Sequence, residues 1–174
     1  PNTVQDFITL SGIDLDRVAL IANQDKALTN YLADCSASIT GDFLTYWTQT
    51  ANGKDTVNLL VKHMRSDTGG FKLQFYVHDQ TDQYPEQRSR GFLWFLSFYL
   101  RLAAWDKSND HGGDRLLLID EPGSYLHAKA QRDILKVLEQ RVKDKNQTFI
   151  YTTHSPYLLP ASDTHRFRVT IKHG

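Results

Sequence analysis

The sequence predicts an α/β fold: a parallel-sheet lobe at the C-terminal end, preceded by an N-terminal helical segment and a β-hairpin. Two short apolar runs, 116–119 and 148–152, have the length of strands, and the amphipathic stretch 128–142 between them has the period of a helix. This strand–helix–strand order is typical of a parallel sheet. The character of the chain changes after the hairpin, so we expect two domains, residues 1–80 and 81–174.

The composition is that of a globular protein with balanced charge. The 174 residues include 20 Lys and Arg, 20 Asp and Glu and 40% hydrophobic residues, which argues against long disorder and against a general polyanion binder. The single cysteine, Cys35, excludes an internal disulfide framework and a multi-cysteine zinc site. The most apolar run, 92–100, is far shorter than the roughly 20 residues that a bilayer needs. We therefore expect no membrane span and a cytoplasmic location. Because the chain begins at Pro1 and not at an initiator Met, we expect it to be a fragment or a processed product.

The N-terminal segment carries a helical pattern. A helix is predicted from Asp14, whose side chain can cap the first turn. Gly41 is expected to break the pattern, and a second helix then carries Phe43, Leu44 and Trp47.

A β-hairpin is predicted next. β-Branched and aromatic residues alternate with polar ones over Thr56–Met64 and Phe71–His78, as in strands. The turn-forming run Asp67–Gly70 joins them.

The C-terminal half alternates helices and strands. A long helix, apolar on nearly all sides, is predicted from about Ser89 to Trp105. The runs 116–119 and 148–152 lack polar alternation, so both are expected to be buried parallel strands. Arg166–Lys172 is predicted to be a last strand.

Chemically useful side chains follow the two apolar strands directly. Asp120 and Glu121 end the first strand, and Thr153 and His154 follow the second. Active groups in parallel sheets lie beyond the carboxyl ends of the strands, and short connections make these two strands neighbours. Two carboxylates after an apolar strand are costly without a cation, which a magnesium–phosphate complex would supply. An acidic turn before a proline, with a histidine in a structural hydrogen bond, is the alternative.

A second candidate site opens the long helix. Arg88, Ser89, Arg90 and Gly91 combine two cations, a hydroxyl and the unpaired N–H groups of a helix N-terminus, which together favour an anion. A serine N-cap between solvated arginines is the alternative.

In order and spacing, these elements resemble the ABC-type ATPases. Ser89–Gly91 is similar to a degenerate signature motif, with an arginine where the first glycine usually stands. Leu116–Glu121 resembles a Walker B strand with its catalytic glutamate. Gly123–His127 occupies the D-loop position, and Thr153–Ser155 resembles the switch-histidine loop. The resemblance implies the parallel-sheet lobe of a P-loop ATPase head that uses ATP and Mg²⁺.

The resemblance is strongest to the RecF-like and OLD (overcoming lysogenization defect) branch, because Arg88–Phe95 and Asp120–His127 match its typical motifs. It implies that Asp120 helps to hold Mg²⁺, that Glu121 acts as general base or water positioner, and that His154 senses the γ-phosphate.

Further implied roles concern a second head, since such ATPases sandwich ATP between two protomers. Ser89 and Gly91 would contact the γ-phosphate of a nucleotide held by the opposite protomer. Ser124 would belong to the loop that communicates across that interface. Arg90 replaces a signature glycine, so Arg88 and Arg90 would instead supply charge against the phosphate. A homo-oligomer is the expected assembly.

The chain lacks a Gly-x-x-x-x-Gly-Lys-[Ser/Thr] loop, which cradles the β- and γ-phosphates. Its Gly53–Lys54 pair is followed by Asp55 and has no matching upstream glycine. We therefore expect the loop elsewhere in the complete protein, and expect this chain alone neither to bind ATP tightly nor to hydrolyse it. The OLD branch further implies DNA, or a nuclease domain, as a partner, and a role in DNA processing or anti-phage defence.

Two other functions fit parts of the sequence. The same residues could bind ATP as a dimerisation clamp with little or no turnover. An unrelated hydrolase could use Ser155 beside His154, although the chain has no Gly-x-Ser-x-Gly elbow and adjacent residues of an extended segment point to opposite sides.

Overall fold

The computed structural model describes residues 3–49, 57–66, 70–108, 115–145, 147–160 and 163–170. The chain forms two compact units, Pro1–Gly112 and Gly113–Gly174. In the described residues, the first contains four α-helices and an antiparallel sheet, and the second contains a parallel strand pair and one long helix. The helices are α1 Thr3–Ser11, α2 Leu15–Ile21, α3 Asp25–Leu44, α4 Arg90–Ser108 and α5 Ala128–Lys145. The strands are β1 Asn58–Arg65, β2 Phe71–His78, β3 Asp82–Gln83, β4 Arg115–Asp120 and β5 Gln147–Thr152.

The predicted N-terminal helices are partly right. Asp14 caps α2 as expected, since its side chain accepts hydrogen bonds from the backbone N–H groups of Asp16 and Arg17. The predicted break at Gly41 is wrong, because α3 continues through this glycine to Leu44. An added Cβ at Gly41 would meet no atom within 4 Å, so nothing at this position needs a glycine. The sequence interpretation also missed α1.

The core of the first unit is aromatic. The ring of Phe43, fully buried at the end of α3, lies 5.5–6.0 Å from the rings of Phe92, Phe95 and Tyr99 on α4, in edge-to-face geometry. Such pairs add about 0.5–1.5 kcal/mol each beyond the area that they bury. The predicted α4 is confirmed, and its apolar residues form core.

The predicted hairpin is confirmed, with β1 and β2 paired from Asn58–His78 to Arg65–Phe71. The predicted turn residues 67–69 lie outside the described residues, as does Thr56. The free edge of β1 is covered by α3, because the hydroxyls of Ser36 and Thr40 accept hydrogen bonds from the backbone N–H groups of Val61 and Leu59. Such cover protects an edge strand from unwanted pairing.

An ion cluster joins the hairpin to β3. The carboxylate of Asp82 accepts from Lys62 on β1 and lies 2.7 Å from Nδ1 of His78 on β2. The Lys62 ammonium, and secondarily His78, lower the pKa of Asp82 from its ordinary value.

The second unit is a parallel strand–helix–strand arrangement, as predicted. β4 pairs with β5 from Arg115–Gln147 to Asp120–Thr152, and α5 connects them. Ala130, Ile134 and Val137 on the inner face of α5 are fully buried. The α/β class is therefore confirmed, and the strand ends that carry the candidate residues lie side by side.

Two expectations for this unit are wrong. The strands are not buried on both faces: even-numbered residues are exposed, Leu118 by 74%, because a single helix covers one face of the two-stranded sheet. The predicted last strand is also absent from the described part of 166–172. Arg166 ends a 3₁₀ turn, and the Arg168 guanidinium donates to the carbonyl oxygens of His165 and Phe167, which keeps this segment locally turned.

Within the described ranges, no helix has both the length and the apolar character to cross a bilayer. The expected division into the domains 1–80 and 81–174 stays a prediction.

Candidate functional site

The carboxyl ends of β4 and β5 hold Asp120 against Thr152. The two residues are register partners, and the Thr152 hydroxyl donates a hydrogen bond to Oδ1 of Asp120. The same hydroxyl oxygen accepts from the backbone N–H of Glu121 at 3.1 Å, and that N–H also lies 3.2 Å from the Thr152 carbonyl oxygen. One threonine thus orients the first carboxylate and anchors the backbone of the second.

Glu121 sits at a strained point of the backbone. Its φ is +47°, the only positive φ of a non-glycine residue in the described ranges. A left-handed conformation costs an L residue about 1–2 kcal/mol, and such strain persists where the surrounding structure enforces it, often at functional sites. Here a tight turn enforces it: the N–H and the hydroxyl of Ser124 both donate to the Glu121 carbonyl oxygen, at 3.3 and 2.9 Å.

Glu121 and His154 are in direct contact, in agreement with the prediction that the two strand ends are neighbours. Nδ1 of His154 lies 2.8 Å from Oε2 of Glu121, and the backbone N–H of His154 donates to the same oxygen at 3.4 Å. The His154 side chain is 79% exposed and that of Glu121 is 35% exposed. Both groups are therefore accessible to a ligand at this edge of the sheet.

The loop after His154 is held in place on both sides. Nearer the strand, the Thr153 hydroxyl accepts from the N–H of Ser155 at 3.0 Å. At its far end, the Tyr151 hydroxyl donates to the carbonyl oxygen of the buried Leu158. Burial, and then the charge of Glu139, raises the pKa of Tyr151, so this hydroxyl keeps its proton.

The hydrolase alternative does not fit these contacts. The Ser155 hydroxyl donates to Gln131, whereas the imidazole of His154 faces Glu121. A serine nucleophile needs its hydroxyl within hydrogen-bond reach of the histidine that takes its proton.

The predicted anion site lies in the first unit, at the start of α4. Ser89 acts as the N-cap: its hydroxyl accepts from the N–H of Phe92 at 3.2 Å. Arg90 is exposed, but Arg88 is engaged, because its guanidinium donates to Asp79 at 2.9 Å and to Gln83 at 3.1 Å. Of the two arginines, Arg90 is the better placed to meet an external phosphate. The geometry of Ser89, Arg90 and Gly91 relative to Glu121 stays a prediction.

The donor set at the strand ends fits Mg²⁺. Carboxylate oxygens are the hard ligands that Mg²⁺ prefers, and it is usually held by one or two carboxylates together with waters and substrate phosphates. The described residues contain no cluster of three or more His, Cys, Asp or Glu side chains that could hold a metal by themselves. Asp120 and Glu121 therefore suit a cation that arrives with a phosphate ligand, rather than a cage made by protein alone.

Sequence reasoning missed two residues of this site, Thr152 and Gln131. Thr152 could have been found from the predicted register, which places it opposite Asp120. Gln131 is a buried glutamine in the first turn of α5, and no local sequence signal shows that its side chain reaches both of these loops.

Comparisons with known proteins identify the family of the chain. The family model of the AAA ATPase domain matches residues 20–159. A protein of Methanocaldococcus jannaschii, described as uncharacterized, is 37% identical over 75 residues, which is 40% of this chain and 18% of that protein.

Two solved structures of SMC heads are also similar. One is the SMC head bound to the C-terminal winged-helix domain of ScpA, with a TM-score of 0.49, 16% identity and coverage of 88% of this chain and 46% of that chain. The other is the Pyrococcus furiosus SMC head with an extended coiled coil, bound to the C-terminal domain of ScpA. It has a TM-score of 0.48, 15% identity and coverage of 81% and 34%. This chain thus spans less than half of either head and under a fifth of the M. jannaschii protein.

Proposed function

Since the chain belongs to the AAA ATPase domain family, we propose that it supplies one part of an ATP-hydrolysing site, namely the two acidic residues and the switch histidine. Membership of this family agrees with the predicted ATPase head. The contact between Glu121 and His154 at the ends of neighbouring parallel strands carries the proposal. The carboxylate proposed as the base and the imidazole proposed as the phosphate sensor are one hydrogen bond apart.

Each side chain has a distinct task in this proposal. Asp120, oriented by Thr152, helps to hold the Mg²⁺ of bound Mg–ATP, and the metal neutralises charge on the phosphates. Glu121 accepts a hydrogen bond from the attacking water and orients it. His154 exchanges its contact with Glu121 for one with a terminal phosphate oxygen, so the imidazole reports whether the phosphate is present.

The proposal includes a second head. Ser89 and Gly91 would contact the γ-phosphate of a nucleotide held by the opposite protomer, and exposed Arg90 would add charge there. Arg88 would shape the start of α4 through Asp79. Ser124 would transmit conformational changes of the Glu121 turn to the interface, since its hydroxyl donates to the Glu121 carbonyl oxygen.

The wider role rests on the sequence motifs. The match of Arg88–Phe95 and Asp120–His127 to the RecF-like and OLD branch favours a cytoplasmic homo-oligomer that acts in DNA processing or anti-phage defence, with DNA or a nuclease as partner. The phosphate-binding loop would come from another segment of the complete protein, because the present sequence has no Walker A motif.

A clamp without turnover is the second candidate. The exposed placement of Glu121 and His154 suits nucleotide binding in either case, and the difference lies in whether Glu121 acts on water.

Glu121→Gln in the complete protein separates the two candidates. The amide keeps the size and hydrogen-bonding capacity of the side chain but is a far weaker base. For an ATPase we expect the turnover number to fall at least a hundredfold while Mg–ATP affinity stays within about threefold. Glu139→Gln, on the exposed face of α5, is the matched control and should keep full activity.

Two results would count against the ATPase proposal. Wild-type protein with no measurable turnover but tight ATP binding would favour the clamp. Normal turnover in the Glu121→Gln protein would remove Glu121 from the chemistry altogether.

A further inference from the structure

The amide of Gln131 bridges two loops of the candidate site. This side chain lies in the first turn of α5 and is only 9% exposed. Its Nε2 donates to the carbonyl oxygens of Gly123 at 3.2 Å and Leu126 at 2.9 Å. Its Oε1 accepts from the hydroxyl of Ser155. Both donors and one acceptor position of the amide are therefore in use.

The two contacted loops are those that carry the reactive side chains. Gly123 and Leu126 belong to the turn that holds Glu121 in its left-handed conformation. Ser155 directly follows His154, and its hydroxyl also accepts from the N–H of Tyr157 at 3.3 Å, which caps the 3₁₀ helix Pro156–Leu158. These hydrogen bonds of the glutamine go to neither reactive side chain, but they hold the two segments that carry them.

The fit around Gln131 is close. A Cβ added at Gly123 would lie 3.3 Å from Cγ of Gln131, so the turn and the glutamine stem are in contact as well as hydrogen bonded. A buried amide whose partners are backbone carbonyl oxygens resists displacement, because those oxygens would otherwise lose their donors away from water.

We propose that Gln131 is a positioning residue that couples the Glu121 turn to the His154 loop, so that the backbone segments carrying the base and the phosphate sensor move together. The expected effect on kcat rests on the proposed ATPase function, whereas the coupling of the two segments depends on the fold alone. When His154 shifts toward a phosphate, the Ser155–Gln131–Gly123 chain transmits the shift to the turn that holds Glu121 and Ser124.

The kinetic test uses three variants of the complete protein. Gln131→Met keeps the length of the side chain and removes all three hydrogen bonds. Ser155→Ala removes the link between Gln131 and the His154 loop, together with the cap that the same hydroxyl provides to the N–H of Tyr157. Gln140→Met, at an exposed position of the same helix, is the matched control.

We expect Gln131→Met and Ser155→Ala each to lower kcat about tenfold, with KM for ATP changed less than twofold, because a small misplacement of reactive groups affects chemistry more than binding. The double variant should be little worse than the single ones, since both break the same chain. Additive losses, or a Gln131→Met protein that is less stable but fully active at a temperature where it is folded, would overturn the inference.

Hydrogen exchange of the same proteins, read by mass spectrometry, tests the coupling separately from catalysis. Gln131→Met should speed exchange at least fivefold in both segments 121–127 and 153–159, and Gln140→Met in neither. If the wild-type protein does not hydrolyse ATP, the proposed function fails and this measurement alone decides the coupling. Faster exchange in only one of the two segments would refute it.

Discussion

Gly123→Ala is the substitution for which the structure predicts the sharpest local effect. Gly123 has a φ of +89°, in the region that favours glycine, and it lies two residues after Glu121. An added Cβ would lie 3.2 Å from Cδ1 of Ile134 and 3.3 Å from Cγ of Gln131. Ile134 is fully buried and cannot move outward, so the methyl group would push against the inner face of α5.

Substitutions at two other glycines separate the cost of backbone strain from the cost of overpacking. Gly12 also has a positive φ, +70°, but a Cβ there meets no atom within 4 Å, so Gly12→Ala should cost only the backbone strain, about 1 kcal/mol. Gly41 lies in α3 with open space around it, and Gly41→Ala should stabilise by about 0.5–1 kcal/mol. Gly123→Ala combines strain with overpacking and should cost roughly 2–3 kcal/mol.

Hydrogen exchange measured by mass spectrometry reports these effects near each site. For Gly123→Ala, amides of α5 that exchange by opening of the second unit should exchange about 30- to 150-fold faster, which corresponds to that free energy. Gly12→Ala should speed exchange in the first unit by less than about tenfold, and Gly41→Ala should slow it. If Gly123→Ala perturbs its unit no more than Gly12→Ala perturbs its own, the close packing of the turn against α5 is refuted.

Two further predictions concern Thr152 and Asp82. Thr152→Val keeps the shape of the side chain but removes the hydroxyl bound to Asp120, so we expect a loss of about 1 kcal/mol in stability and about a tenfold lower kcat in the complete protein. Thr148→Val, at an exposed position of the same strand, is its control, and equal kinetics for the two variants would contradict the role of the hydroxyl. The pKa of Asp82 is lower in the folded hairpin than in the unfolded chain, chiefly because of Lys62, so this carboxylate stabilises the fold above about pH 4 and ceases to do so as the pH falls further. Asp82→Asn should therefore cost at most about 1 kcal/mol near neutral pH in urea unfolding, and the cost should shrink as the pH falls below about 4; a cost that does not change with pH would contradict the assignment.

The sequence allowed the placement of the two strand ends to be predicted better than their surroundings. Asp120–Glu121 and Thr153–His154 each follow a short apolar run, and one amphipathic helix separates the runs. A short connection between parallel strands leaves few arrangements, so the ends of the two strands had to meet. The observed contact between Glu121 and His154 follows from that restriction on topology.

The wrong predictions came from patterns that have more than one structural solution. Gly41 was expected to break a helix, but a glycine in a helix interior costs only about 1 kcal/mol, and the burial of Ile39 and Phe43 on either side of it favours continuing α3. Leu116 and Leu118 of β4 were expected to be covered because they are apolar. The sequence shows that both are hydrophobic, but it does not show that a helix packs against only one face of the two strands.

The Glu121–His154 contact explains why a strained backbone is tolerated at this turn. A glutamate at φ +47° would relax to an ordinary conformation if it were free, yet its N–H is held by Thr152, its carbonyl oxygen by Ser124, and its carboxylate by His154. A merely structural acidic turn needs none of these, since a glycine at this position would adopt the same φ without strain. An accessible carboxylate at this strained position, beside an exposed imidazole, therefore agrees with the role proposed for Glu121.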